Sequence, residues 1–160
     1  MKLGSFIAGM AVGIATSAIV ATASVSAASK SGCRDAQEEK NKEIAIEFYD
    51  RALNQKDWNK ARELIGNRYT QHNPAAVDGF EGIKNHIEML KEKFPQNHGE
   101  LKHALADGDL VALHMHSKRT PDSRGNAIVD MFRIENGKVV EHWDVVQAIP
   151  EKSKNDNTMF

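Results

Sequence analysis

Cysteine is nearly absent from this chain: Cys33 is the only one among 160 residues, so no disulfide can form within the molecule even in an oxidising compartment. Proline is scarce too, with four residues, and aromatic side chains make up only 6%. Neither sign of charge dominates. Lys and Arg number 21 against 22 Asp and Glu, a net charge of −1, which lacks the basic excess that nucleic-acid binding requires. No internal repeat and no low-complexity tract is visible.

One stretch lacks charge altogether. Leu3 to Ala28 carries none, Lys2 provides a short positive region before it, and Val25-Ser26-Ala27 has the small-residue pattern of a cleavage site. This predicts a secretory signal over residues 1–28 and a periplasmic or secreted protein. An uncleaved anchor is the alternative, since the run could span a bilayer and contains Gly9-x-x-x-Gly13. Cleavage would leave no membrane attachment. It would remove one basic residue, leaving 20 against 22 acids. About 130 residues then remain, enough for one domain over 34–150 and a polar tail over 151–160.

The order of elements is helices first, strands afterwards. Asp35 to Gln55 has an apolar stripe through Ile44, Phe48 and Ala52. Asp57 caps a short second helix that Gly66 stops, and Gly79 to Phe94 makes a third with Ile83, Ile87 and Leu90 inward. Tyr69 to Pro74 is extended, because a residue before proline leaves helical geometry. Strands follow over Leu101–Asp107 and Leu110–Arg119, then a hairpin from Val129 to Asp144. Helices followed by an antiparallel meander indicate an α+β domain, with helices on one face of a curved sheet.

The hairpin is the densest region chemically. Asn136-Gly137 allows two registers that differ by one residue. A two-residue turn sets Asp130 beside Trp143. A three-residue loop with Gly137 as a bulge sets Asp130 facing His142, on one side with Phe132, Ile134, Val140, Asp144 and Val146, and this second register is the one expected. Asp130 stands among apolar neighbours, so either face it occupies is covered, and burial raises a carboxyl's pKa. Arg133 points to the other face. His114 and His116 alternate with Leu113 and Met115, so they face either water or a cavity. His-x-His also suits a metal, with His72 and His142 as further donors, but no second ligand pair has a diagnostic spacing and none is expected. Gln71-His72-Asn73-Pro74 reads either as a turn or as the polar rim of a cavity.

These motifs taken together resemble a known group. Tyr49-Asp-Arg-Ala-Leu-Asn54, Asp57-Trp58, Asn73-Pro74, Gly79-x-x-Gly82, Asp130-Met-Phe-Arg-Ile and Gly137-Lys-Val-Val-Glu-His-Trp-Asp144 are similar, in this order, to the nuclear transport factor 2 and ketosteroid isomerase superfamily. Within it the chain most resembles the SnoaL-like polyketide cyclases. The resemblance implies a cone-shaped half-barrel, its curved, mainly antiparallel sheet wrapped by about three N-terminal helices around an apolar pocket. It also supports the bulged register.

Residue by residue, the resemblance implies that Asp130 is the acid/base group, helped by His116 and Asn73, as in the cyclases. Tyr49 and Asp130 fall where the isomerases build an oxyanion hole. The isomerases' base precedes a proline, where this chain has Asn73, which argues against their mechanism. His72, His114, Phe132, His142, Asp144 and Val146 would line the pocket. The expected function is cofactor-free enolate chemistry on a small apolar carbonyl compound, an aldol-type cyclisation or isomerisation. The alternatives are a non-catalytic binding or dimerisation module and a cofactor-free hydrolase. With the histidines and Asp130 inward, Met115, Met131, Trp143 and Val145 would form an outer apolar face, where a homodimer is expected.

Overall fold

A computed structural model describes residues 20–160, with side chains from residue 34 onward. The export-signal reading rests mainly on residues outside that range. Arg34–Phe160 forms one compact unit. Among the described residues no helix is long and apolar enough to cross a membrane. Helix α1 runs Val20–Tyr49 and continues as a π-helical turn over Asp50–Asn54. It buries Ala45, Phe48, Tyr49 and Ala52, the stripe expected from their spacing. Helix α2, Trp58–Arg62, is capped by Asp57, whose carboxylate accepts from the Lys60 backbone N–H at 3.1 Å. Helix α3, Gly79–Lys93, buries Ile83, Ile87 and Leu90 and ends before Pro95.

Five strands form one curved sheet in the order β1-β5-β4-β3-β2. They span Ile65–Gln71, His98–Asp107, Leu110–Lys118, Asn126–Glu135 and Lys138–Ala148. All neighbours are antiparallel except β1, which runs parallel to β5. The result is the expected α+β half-barrel. Helices lie against its concave face, and Phe48 of α1 meets Phe132 of β4 edge to face at 5.5 Å.

The hairpin turn corrects the expectation. Asn136 and Gly137 have φ of 51° and 73°, and Glu135 pairs with Lys138, so the turn is the two-residue type with both central residues left-handed. That turn alone would place Asp130 opposite Trp143. Beyond it, however, Ile134 pairs with Val139 and Arg133 with Glu141, leaving Val140 as an extra residue on β5. This bulge shifts the register by one. Asp130 pairs with Asp144 and Phe132 with His142, so the expected inner face is recovered by a bulge in the strand rather than in the turn. Packing explains its position. Val139 and Val140 are both buried, and Val140 leans on Gly66, where an added Cβ would stand 2.7 Å from Val140 Cγ1.

The same pairing reverses the expected sides of β3. Leu113 pairs with Asp130 and Met115 with Ile128, so Val111, Leu113 and Met115 face the core, while His114 and His116 face outward. The tail carries no regular element. Its last residue, Phe160, packs on this outer face, 5.3 Å from the His114 ring and 4.6 Å from His116.

Candidate active site

Between α1, α3 and the concave face lies a cavity of about 200 Å³, lined among others by Tyr49, Tyr69, Asn73, Asp130, His142 and Asp144. Asp130 is only 5% exposed. Its Oδ1 lies 3.1 Å from His142 Nε2, and its Oδ2 is buried with no hydrogen-bond partner. Burial raises the Asp130 pKa above the ordinary carboxyl range, the His142 hydrogen bond and charge oppose this, and the Asp144 charge adds to it.

The proton between Asp130 and His142 can be assigned from the surrounding bonds. The Asn73 backbone N–H donates to Gln71 Oε1 at 2.9 Å, so that amide atom is an oxygen, since an N–H can only donate. The same oxygen lies 2.9 Å from His142 Nδ1. Nδ1 therefore carries a proton and donates to it. In a neutral ring Nε2 then has a bare lone pair facing Asp130 Oδ1, a contact that is attractive only with a second proton between them. Asp130 and His142 share that proton, either as carboxylic acid and imidazole or as carboxylate and imidazolium.

Asp144 is held separately. Asn73 Nδ2 lies 2.8 Å from both of its carboxylate oxygens, and Asn73 Oδ1 accepts from the Ala75 N–H at 2.8 Å, which closes the Asn-Pro turn. Asn73 is thus at the site, but its amide is engaged by Asp144. Donor atoms of Asp130, His142 and Asp144 all lie within 4.8 Å of one another, so these three could also hold a metal ion, although the Asp130–His142 separation is that of a hydrogen bond.

Tyr49 reaches the cavity from the end of α1. Its hydroxyl occupies space beside Gly99, where an added Cβ would stand 2.1 Å from Oη. Burial chiefly, and the Asp130 charge next, raise its pKa, with Ser117 acting the other way. Tyr69 is raised for the same first two causes. Both phenols stay protonated as hydrogen-bond donors. Phe132 lines the cavity wall 5.0 Å from the His142 ring, and Val146, half exposed, lies at the mouth.

Three expected pocket residues lie elsewhere. His114 and His116 project from the outer face, His116 Nε2 sitting 2.8 Å from the Arg124 carbonyl, because strand alternation puts Leu113 and Met115 inward. His72 stacks on Trp143 at 4.6 Å and bonds Glu141 at 2.8 Å on the outside, one residue out of phase with Gln71 and Asn73. Met115, expected outside, is buried in the core. Gln71, in the segment read as either a turn or a cavity rim, lines the cavity, and so do Tyr69, His86, Arg119 and Asn126, which were not anticipated. For Tyr69 and Gln71 the signal was present: alternation along Tyr69-Thr-Gln-His-Asn73 puts both on the face of Asn73.

A family model for the SnoaL-like polyketide cyclases matches residues 43–151, more than half of the chain and all of the cavity. The chain belongs to the SnoaL-like polyketide cyclase family. Solved structures of the same fold include TsrD of Streptomyces laurentii, at 22% identity over 68% of this chain and 88% of that one, with a TM-score of 0.56. A candidate ketosteroid isomerase of Kribbella flavida aligns at 15% identity over 77% and 89%, TM-score 0.60. A candidate SnoaL-like polyketide cyclase of Jannaschia aligns at 22% over 68% and 86%, TM-score 0.55. Among curated protein sequences none matches.

Proposed function

We propose that this SnoaL-like protein is an enzyme that abstracts a proton beside the carbonyl of a small apolar compound, with Asp130 as the base. The observation that carries this reading is the pairing of a free buried oxygen, Asp130 Oδ2, with a shared proton on the opposite oxygen. With that proton on His142 Nε2, Asp130 is a carboxylate. Oδ2 takes a proton from the carbon next to the carbonyl, the C–H electron pair forms the C=C bond, and the carbonyl π pair moves to oxygen. The Tyr49 and Tyr69 hydroxyls are the donors available to that developing enolate. Returning the proton to another carbon completes an isomerisation. Attack of the enolate carbon on a second carbonyl, whose oxygen takes the proton from Asp130, completes an aldol-type closure.

The test is deuterium incorporation from heavy water into a panel of small ketones and β-dicarbonyl compounds, beside Asp130→Asn. Exchange by the native protein that the variant loses supports the reading. Binding of panel members by both proteins with no exchange by either overturns it in favour of a binding module.

Export and assembly belong to the same proposal. The charge-free run ending at Ala28 supports an exported protein. The outer sheet face supports a homodimer: Leu105 and Val145 are 70% and 71% exposed, with Val129 and Met131 between them. A monomeric mass by light scattering at micromolar concentration would count against that assembly.

A further inference from the structure

The cavity lining holds two sets of polar side chains of different character. Around Asp130 the side chains of Gln71, Asn73, His142 and Asp144 bond to one another. His86, Arg119 and Asn126 also line the cavity, His86 within reach of the charges of Arg119, His142 and Asp144 alike, and among the described residues none of their side chains has a hydrogen-bond or ion-pair partner. Arg119 is the only Lys or Arg in the lining. Arg119 is solvent-exposed at the cavity rim, and its guanidinium lies 4.5 Å from the centroid of the Phe94 ring, a cation–π contact that leaves its N–H groups open to a ligand. Asn126 pairs with Ser117 at the start of β4, so both face the cavity beside the β3 end that leads to Arg119. His86 comes from α3 across the cavity. Burial first, then the Arg119 and His142 charges, lower its pKa, with the Asp144 charge opposing them, so it is a neutral ring with one N–H to give.

We propose that His86, Arg119 and Asn126 form a subsite for a carboxylate, so that the substrate is a small oxo acid with its carbonyl at Asp130 and its acid group at Arg119. This rests on the enolate reading for the carbonyl end only. A guanidinium, an amide NH₂ and an imidazole N–H match the lone pairs of one carboxylate, and among the described residues no acidic side chain bonds any of the three. Spacing and volume restrict the ligand further. Asn126 and Asp130 are four residues apart on one face of β4, about 13 Å along the strand. The carboxylate therefore stands several bonds from the reacting carbonyl, which excludes 2-oxo acids. The cavity, about 200 Å³, is smaller than the roughly 300–1,000 Å³ of pockets that enclose drug-sized ligands, so a polycyclic substrate is excluded as well.

The test compares 7-oxooctanoate with its methyl ester, using the purified protein, Arg119→Gln and Arg119→Lys. Binding is read by calorimetry and α-exchange by NMR in heavy water. The native protein is expected to prefer the acid at least tenfold, Arg119→Gln to bring the ratio of acid to ester near one, and Arg119→Lys to restore part of it. Equal treatment of acid and ester by the native protein, an unchanged ratio in Arg119→Gln, or no binding of the acid would each overturn the subsite. Arg119-dependent binding of the acid without α-exchange would uphold the subsite and overturn the enolate chemistry instead. Exchange of the ester as fast as the acid would do the reverse.

Discussion

Asp130 and His142 meet diagonally across the β4–β5 hairpin, Oδ1 to Nε2 at 3.1 Å, although the ladder pairs Asp130 with Asp144 and His142 with Phe132. The diagonal leaves Oδ2 turned away from the ring and without a partner. One carboxyl group is thus divided between a bonded oxygen and a buried, unpartnered one.

Replacing Asp130 by Asn removes the proposed base and also removes a buried ionisable group. The raised pKa of Asp130 means that the folded state holds its proton more tightly than the unfolded chain does. Native stability therefore falls as pH rises from the ordinary aspartate value, about 3.9, to the raised folded value, and stays lower above it. An amide in its place has no such slope, and its NH₂ can donate to His142 Nε2. The variant is expected to be inactive yet more stable by about 1 kcal/mol at neutral pH, with little gain at pH 4. Thermal unfolding at both pH values checks this; a variant less stable at neutral pH would refute the assignment.

Gln71 fixes the His142 ring by accepting from its Nδ1–H at 2.9 Å. Gln71→Leu removes the acceptor of the Nδ1 proton and frees the ring to change tautomer. A loss of about 10–100-fold in kcat is expected, similar to the effect of removing a ring-orienting partner at a metal-bound histidine. The ¹⁵N NMR shifts of the ring distinguish this from a packing defect, since they report which nitrogen is protonated. A retained Nδ1 proton in the variant would contradict the role.

Gly99→Ala should act through Tyr49. The added methyl would fall 2.1 Å from Oη, so the phenol must move out of its place at the cavity wall. Overpacking of this kind costs about 1–3 kcal/mol, and activity should fall with it. Because ring carbons Cε1 and Cζ would also stand 2.6 and 2.7 Å from that methyl, adding Tyr49→Phe to Gly99→Ala should leave most of the strain, whereas adding Tyr49→Leu should recover part of the stability but none of the activity. Chemical denaturation of the three variants measures that coupling.

His114→Ala and His116→Ala should leave turnover within about twofold of native, because both rings lie on the outer face beneath Phe160. A tenfold loss in either would place that ring in the cavity, contrary to the β3 register. Steady-state kinetics on any substrate found for the native protein decides it.

Much of this was readable in the linear chain. Apolar spacing in Asp35–Gln55 and in Gly79–Phe94, the Asp57 cap, and alternation in the strands depend on near neighbours, so the helices, the strands and the α+β class follow from local chemistry. Asp130 was identifiable because a carboxylate amid Ile128, Met131, Phe132 and Ile134 has no local way to stay solvated. Membership of the cyclase family was visible in motifs along most of the chain.

What local chemistry could not decide was which face of each strand turns inward. His114 and His116 alternate equally well inward or outward, and only the pairing of Leu113 with Asp130 settles their side. The turn residues Asn136 and Gly137 predict a register that the Val140 bulge then overrides, and that bulge answers to Gly66, more than seventy residues earlier. Gln71, His86, Arg119 and Asn126 come from β1, α3, the end of β3 and the start of β4, so no spacing in the sequence links them. Elements came from contacts between neighbours in the chain. The site came from contacts between segments far apart, because strand pairing and helix docking, rather than propensity, choose which side chains share a cavity.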